Sequence, residues 1–319
     1  MTEHAGEVEQ GLLWKQEHLA PLPIPTGQPA SDLMNIIWRK NEIYLDIGSF
    51  AMAAGWLTLH MGTFLIIVSS IWIASTGDYW ASLAILAVMG GGLMGTLWYL
   101  FIKQWRKPLT PPIRFNRQRR EVCITEPDGN YWFVPWERVY AIAPSVTNLG
   151  TYGATKHGSL VLWFSLKGRE HETYGPDKKG WVLMVNPGGG ISSMAQWECI
   201  RSFMEEGPDA VPEPLENICG VSLKQIFWRE FEKSRLERGL FLTVAWEIGI
   251  MFPVFNPMGA YWMMRKKFSH IPDLTAPEVV EWSKPLPPAQ WAKRSPELEK
   301  AIAEREAELA AVRPNMPAK

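Results

Sequence analysis

The sequence predicts an α+β membrane protein: an N-terminal two-helix transmembrane hairpin, a cytoplasmic antiparallel β domain with a C-terminal helix, and then amphipathic or interfacial helices. Three observations carry this. Residues 47–77 and 79–102 contain no Asp, Glu, Lys or Arg. A basic run with no acid, KPLTPPIRFNRQRR (Lys107 to Arg120), follows closely. Short apolar runs separated by turn residues fill 113–185, the pattern of antiparallel strands.

Composition narrows the class. With 32 Lys+Arg against 33 Asp+Glu the net charge is −1, which argues against a nucleic-acid partner, since such domains carry a cationic excess. The 17 Trp suit a chain at membrane interfaces, where one side of the ring is apolar and the other wet. Cys123, Cys199 and Cys219 are odd in number and lack C-x-x-C spacing, which fits a reducing compartment. Glu3, Glu7 and Glu9 stand where a signal peptide would be basic, so none is expected.

The elements follow in order. Residues 1–46 read as a polar, Pro-containing arm, poorly ordered to residue 30, then a short interfacial helix capped by Ser31 or Asp32. Leu33, Ile36, Ile37 and Tyr44 form its apolar stripe. Residues 47–107 form the hairpin: each uncharged run exceeds the ~20 residues that cross a bilayer, and STGD links them. Ala51 and Gly55, and Gly91 and Gly95, lie four apart, the spacing by which small residues let helices approach in lipid. His60 is the one ionisable group in the first run. Arg39 and Lys40 precede the spans, Lys103, Arg106 and Lys107 follow them, and the link holds only Asp78. The positive-inside rule then places both termini in the cytoplasm and makes these five cations candidate lipid-headgroup contacts.

Residues 108–220 form the β domain. IRFNRQRREVCI alternates as a hairpin whose turn charges are solvated, EPDGN turns, and YWFVPW, RVYAIA, SLVLWFSL and WVLMV continue the β pattern. KGREHETYGPDKKG reads as a polar connection. NPGGGISS then opens a helix, about Ser192 to Glu206, with Ala195, Cys199, Ile200 and Phe203 on one face and Gly207-Pro208 as its stop. This order resembles a pleckstrin-homology-like (PH-like) or related small barrel capped by a helix. In residues 221–270, Ser222 starts a charged amphipathic helix that runs into apolar 239–264, interrupted by Glu247, Pro253 and Pro257. Three readings stay open for that stretch: a segment dipping into or lying on the membrane, which keeps both basic flanks cytoplasmic; a third span; or a buried core helix. Glu247 is an intramembrane acid only if the stretch enters the bilayer. Residues 271–319 read as a Pro-rich tail and a solvated helix begun by Ser295 and Pro296.

None of the six His pairs with another ligand at metal spacing. NPGGGISS lacks the Lys-Ser/Thr of a phosphate loop, and no G-x-S-x-G elbow occurs. The expectation is a non-enzymatic protein without a cofactor.

PPIRFNRQRREV with VPWERVYA after it, and WECIRSFMEEGPDAVPEP, are similar to a family of bacterial membrane proteins of unknown function, over roughly residues 40–290. The resemblance implies two N-terminal spans, a soluble β-rich domain and a gene position beside type VI secretion effectors. It implies no catalytic residue. The expectation is an inner-membrane immunity protein that neutralises a membrane-acting effector by binding it, with the lipid bilayer and a cognate effector protein as partners. A membrane-anchored scaffold or lipid-sensing protein is the alternative. The oligomeric state is open.

Overall fold

The computed structural model describes residues 4–48, 52–150, 153–169, 171–172 and 179–312. The chain folds as two compact units interleaved in sequence: residues 1–49, 110–215 and 272–319 form one, and residues 50–109 and 216–271 the other. The first is a β unit with antiparallel sheets, and the second is helical. The arm and tail expected to stand apart from the β domain are part of it.

In chain order, β1 (Val8–Gln10) and β2 (Trp14–Ala20) are followed by β3 (Ile37–Lys40) and β4 (Tyr44–Ile47). The long helices are α1 (Ala53–Ser75) and a second that begins as α2 (Tyr79–Ile85), widens into a π-helical segment at Leu86–Met94, and ends as α3 (Gly95–Arg106). Then come β5 (Ile113–Asn116), β6 (Glu121–Thr125), β7 (Tyr131–Pro135), β8 (Tyr140–Gly150), β9 (Gly153–Gly158), β10 (Leu160–Ser165), β11 (Gly180–Val185) and α4 (Gly190–Glu205). The helices α5 (Leu215–Gly220), α6 (Leu223–Arg238), α7 (Leu240–Trp246), a second π-helical segment (Glu247–Phe255) and α8 (Pro257–Phe268) lead to α9 (Pro277–Trp282) and α10 (Pro296–Val312).

One sheet of the β unit runs β3-β4-β5-β6-β7, and the other runs β1-β2-β8-β10-β11 with β9 paired to β8. Alternation decides which side chains meet between them. Ile113 and Phe115, Val122 and Ile124, Trp132 and Val134, and Leu160, Leu162 and Phe164 all enter one core with Trp136, Trp197, Ile200 and Phe203. The ring of Trp136 stacks on Trp197 at 5.4 Å and meets Phe115 edge-on at 5.8 Å.

The N-terminal arm is strand and packed loop. β2 pairs with β8, and the segment after it clasps α4. Thr26 donates its N–H and hydroxyl to Glu198 at 3.1 and 2.8 Å, and Met34 N–H donates to Gln196 Oε1 at 3.1 Å. The arm thus covers Glu198, while Trp197 is buried in the core against Trp136. The interfacial helix expected at 32–46 is instead the β3–β4 hairpin. Asp32 accepts from the N–H groups of Ile36 and Ile37, both at 2.9 Å, and Asn35 turns the chain at φ 51°. Asn41 Oδ1 then accepts from Ile43 and Tyr44, both at 2.8 Å. Such side chain–backbone turns compete with helix.

The basic run is also corrected. Four of its five cations, Arg114, Arg117, Arg119 and Arg120, form a socket for the tail rather than a solvated turn. On the face of β5 away from the core, Arg114 is buried in a two-bond pair with Asp46 at 2.6 and 2.8 Å and reaches Asp273 at 2.7 Å. It also lies 3.8 Å over the Tyr44 ring. Burial opposes its charge, but Asp46 holds the guanidinium above its usual range. Asn116 and Arg119 donate to the carbonyl of Trp282 at 3.0 and 2.9 Å, and the Trp282 indole donates to Glu121 at 2.7 Å. Leu274, Val279 and Trp282 pack with Cys123 on this outer face. Burial pushes the Cys123 thiol up to about 12; it is a packing residue, not a nucleophile. At the end of the run, Arg120 and Arg294 converge on buried Glu205. Ser295 Oγ accepts from Leu298 N–H at 3.1 Å, the expected cap of α10. Leu298 and Ile302 are buried, so α10 is docked on one side rather than solvated all round.

Candidate functional site in the helical unit

Two helices, Ala54–Ser75 and Tyr79–Arg106, are long and apolar enough to cross a membrane. Polar pairs join them. Ser82 Oγ donates to the Ser70 carbonyl at 2.9 Å, and the Trp98 indole donates to Thr63 Oγ1 at 3.0 Å. Such bonds stabilise helix pairs in lipid by about 0.6 kcal/mol on average. Trp56, His60, Trp98 and Phe101 form one aromatic cluster, with His60 4.4 Å from Trp56 and 5.2 Å from Trp98. His60 is thus a packing residue in an aromatic cage.

The expected glycine seam is placed differently. Ala51 lies outside the described residues. Gly55 does face the second helix: a Cβ there would lie 3.1 Å from Phe101. Gly91 and Gly95 do not, since a Cβ at either meets only a carbonyl of its own helix, at 3.8 and 3.7 Å. Residues four apart share a face only where the helix keeps about 3.6 residues per turn. Leu86–Met94 is π-helical, and the wider turn rotates residues four apart off a common face. Gly55→Leu should therefore cost about 1–3 kcal/mol by overpacking. Gly91→Leu and Gly95→Leu should cost nothing, since Leu is the better helix former. Thermal unfolding of the full chain in detergent checks the contrast; an equal loss at all three positions would contradict it.

The stretch after Ser222 folds back on itself. Ser222 and Gln225 form a capping box that starts α6. Gly239, at φ 81°, ends it. Phe227, twelve residues before this glycine, then meets Phe252, thirteen after it, at 6.4 Å. So α6 and the α7–π segment form a helical hairpin. The π segment packs on α1 and ends at Asn256, whose carbonyl accepts from the Trp56 indole at 3.0 Å. Asn256 sits at φ 44°, caps α8 by accepting from Gly259 N–H at 3.0 Å, and is followed by Pro257 at the first helical position. Asn tolerates the left-handed conformation and Pro suits a helix start. The two pieces are bent by 53°, and the break falls within the expected Pro253–Pro257 interval. Pro253 lies inside the π segment, where a widened ladder accommodates its missing N–H.

From Asn256, α8 continues to the basic end of α3. Trp262 stacks on Trp105 at 6.3 Å, and Lys267 Nζ donates to the carbonyl of Trp105 at 2.6 Å and to that of Lys107. The π segment thus ends beside Trp56, in the first turn of α1. Glu247, at its start, is half-buried, and among the described residues no cation lies within ion-pair distance of it. The charged residues of α6, among them Arg229, Glu230, Glu232 and Arg235, are exposed, paired only with near neighbours on the same helix.

The expected headgroup cations divide. Arg39 and Lys40 belong to the β unit and are used inside it. Arg39 donates to the Pro272 carbonyl at 3.3 Å, and Lys40 to the carbonyls of Pro208 and Val211 at 3.0 and 2.9 Å. Lys103, Arg106 and Lys107 are exposed at the end of α3. Sequence reasoning missed the residues that join them, Arg265 and Lys266, because they stand some 160 positions away. The Gly-rich turn before α4, with Gly188 at φ 119°, is a strand-to-helix connection. Among the described residues no group of His, Cys, Asp and Glu could hold a metal ion. The chain matches no family model, no curated protein and no solved structure.

Proposed function

We propose that this is a non-enzymatic inner-membrane immunity protein that neutralises a membrane-acting type VI secretion effector by binding it. The observation that carries the reading is the charged face of α6. This helix is tied through Phe227–Phe252 to a segment packed on a membrane-spanning helix, yet most of its outward side chains are charged, with Trp228 and Leu236 exposed among them. A charge at that level of a bilayer is costly unless it faces a polar partner or a water-filled cavity. An effector that inserts beside the spans supplies such a partner. The basic ends of α3 and α8 meet at one end of the helical unit, which supports a cytoplasmic placement for that end, and the turn at Gly239 supports a hairpin that dips in and returns. In the β unit, the five-stranded meander, the second sheet and the closing α4 support the finer reading of a PH-like barrel.

The test is co-expression of the effector that this proposal expects beside the gene. Cutting the chain near residue 107 is no clean separation, because β4 would be removed from its partner β5. Full-length variants are needed. Wild type should restore growth. Replacing Arg229, Glu230 and Lys233 together with Ala should abolish protection at unchanged abundance in the membrane. Full protection by that variant would remove α6 from the mechanism.

A further inference from the structure

We propose that the basic end of the helical unit is a binding site for an anionic phospholipid carrying two phosphates, of the cardiolipin class. Lys103, Arg106 and Lys107 end α3, and Arg265 and Lys266 end α8; the structure sets the two ends side by side. The stacked pair Trp105–Trp262 lies between them, with the Lys266 ammonium 5.7 Å over one ring and 5.1 Å over the other. Lys267 is spent as a brace on the carbonyls that end α3.

Three features point to a lipid headgroup. The first is the absence of acids. Residues 95–109 and 257–271 contain no Asp or Glu, and among the described residues none of the five cations has a carboxylate within ion-pair distance. In the β unit, by contrast, Arg114, Arg120, Arg201 and Arg294 are all neutralised by carboxylates. Uncompensated charge gathered from two distant segments is destabilising by itself and calls for an anion. The second is position. The cluster ends a long apolar helix and is floored by tryptophans, which favour the boundary between acyl chains and water. The third is the Trp105 indole N–H, buried with no partner, a donor left over at the same place. The cations come in two groups, one on each helix end, and this favours a headgroup with two phosphates over one with a single phosphate. Basic clusters between helices on the cytoplasmic side bind such lipids through charge and shape.

This inference rests only on the helical unit lying in a bilayer and does not depend on the effector. The experiment is lipid retention by the full chain, reconstituted in phosphatidylcholine nanodiscs containing a minor fraction of cardiolipin or, at equal charge, phosphatidylglycerol. Bound lipid is read by native mass spectrometry. Cardiolipin should be retained in preference to phosphatidylglycerol. Lys103→Gln with Lys266→Gln should weaken retention by roughly fivefold for each cation removed, and Lys266→Arg should restore the loss from Lys266→Gln. Arg229→Gln with Lys233→Gln, on α6, should leave retention unchanged. Equal retention of both lipids at equal charge would overturn the two-phosphate assignment. Equal loss from the α6 variant, or displacement of cardiolipin by inorganic phosphate, would overturn the site. Melting temperatures accompany each variant, so that a folding defect is not scored as lost binding. A chain that fails to enter nanodiscs at all defeats the membrane reading itself, whereas intact cardiolipin retention with no growth rescue defeats only the effector reading.

Discussion

Asp46→Ala is expected to cost about 3–5 kcal/mol, the usual penalty for stranding one member of a buried ion pair. Asp46 is fully buried and accepts two bonds from Arg114. Its loss leaves a buried guanidinium with Asp273, itself largely exposed, as its remaining strong partner. A domain's whole stability is about 5–15 kcal/mol, so the β unit should become sensitive to proteolysis at growth temperature. The double variant Asp46→Ala with Arg114→Met should recover most of the loss, since an apolar replacement of both partners removes the stranded charge. Limited proteolysis and chemical denaturation of the purified full chain provide the readout. A stable single variant, or a double variant no better than the single, would show that the pair does not hold the outer face of the sheet.

Glu205→Ala should have an effect of similar size, about 3–5 kcal/mol by the same mechanism, and a more specific consequence. Glu205 accepts from Arg120 at 2.9 and 3.1 Å, from the Trp136 indole at 2.8 Å and from Arg294 at 2.6 Å. It links the basic hairpin, the aromatic core and the segment leading into α10. Removing it should release the tail first, with cleavage near Arg294 preceding cleavage of the sheets. Burial alone would raise this carboxyl, but the bonds from Arg120, Trp136 and Arg294 hold it below its usual value of 4.5. A depressed folded-state value means the unfolded chain binds the proton more readily. The contribution is therefore complete above about 4.5 and is lost as pH falls below it. Wild type should lose stability through that window, and Glu205→Gln should show a shallower slope there. An unchanged slope would mean Glu205 is not the group being titrated.

The helical unit was legible in the sequence because its signal is one of length and charge. Two uncharged runs of this size admit few other structures, and the break between Pro253 and Pro257 follows from backbone chemistry that local sequence states. The glycine seam was misplaced because periodicity assumes a uniform turn. Met-Gly-Gly-Gly at 89–92 lies in a segment that relaxes to a π-helix, and nothing in the spacing announces it. In the β unit the strands from Ile113 to Val185 followed from alternating or apolar runs, except β9, whose GATKHG carries neither signal. The first 48 residues did not. The i, i+3, i+4 pattern of Leu33, Ile36 and Ile37 suits a helix as well as a strand, and the deciding bonds of Asp32 and Asn41 compete with any helix. The basic run was the hardest case. Five cations after a span read naturally as a topology signal, but the partners of Arg114, Arg119 and Arg120, which are Asp46, Glu205, Asp273 and the Trp282 carbonyl, come from segments far away in sequence. A charge run is solvated only when no distant acid returns to it. Here the tail does return, and the run that stays free of acids is the one at the end of α3.

The most direct test of effector binding at α6 is site-specific photocrosslinking in membranes. A photoreactive residue at Leu236, exposed on α6, should yield an adduct with the combined mass of this chain and the proposed cognate effector. The same residue at Leu149, exposed on β8 in the β unit, should not. An adduct from Leu149 with none from Leu236 would contradict the proposal and move the binding surface to the β unit.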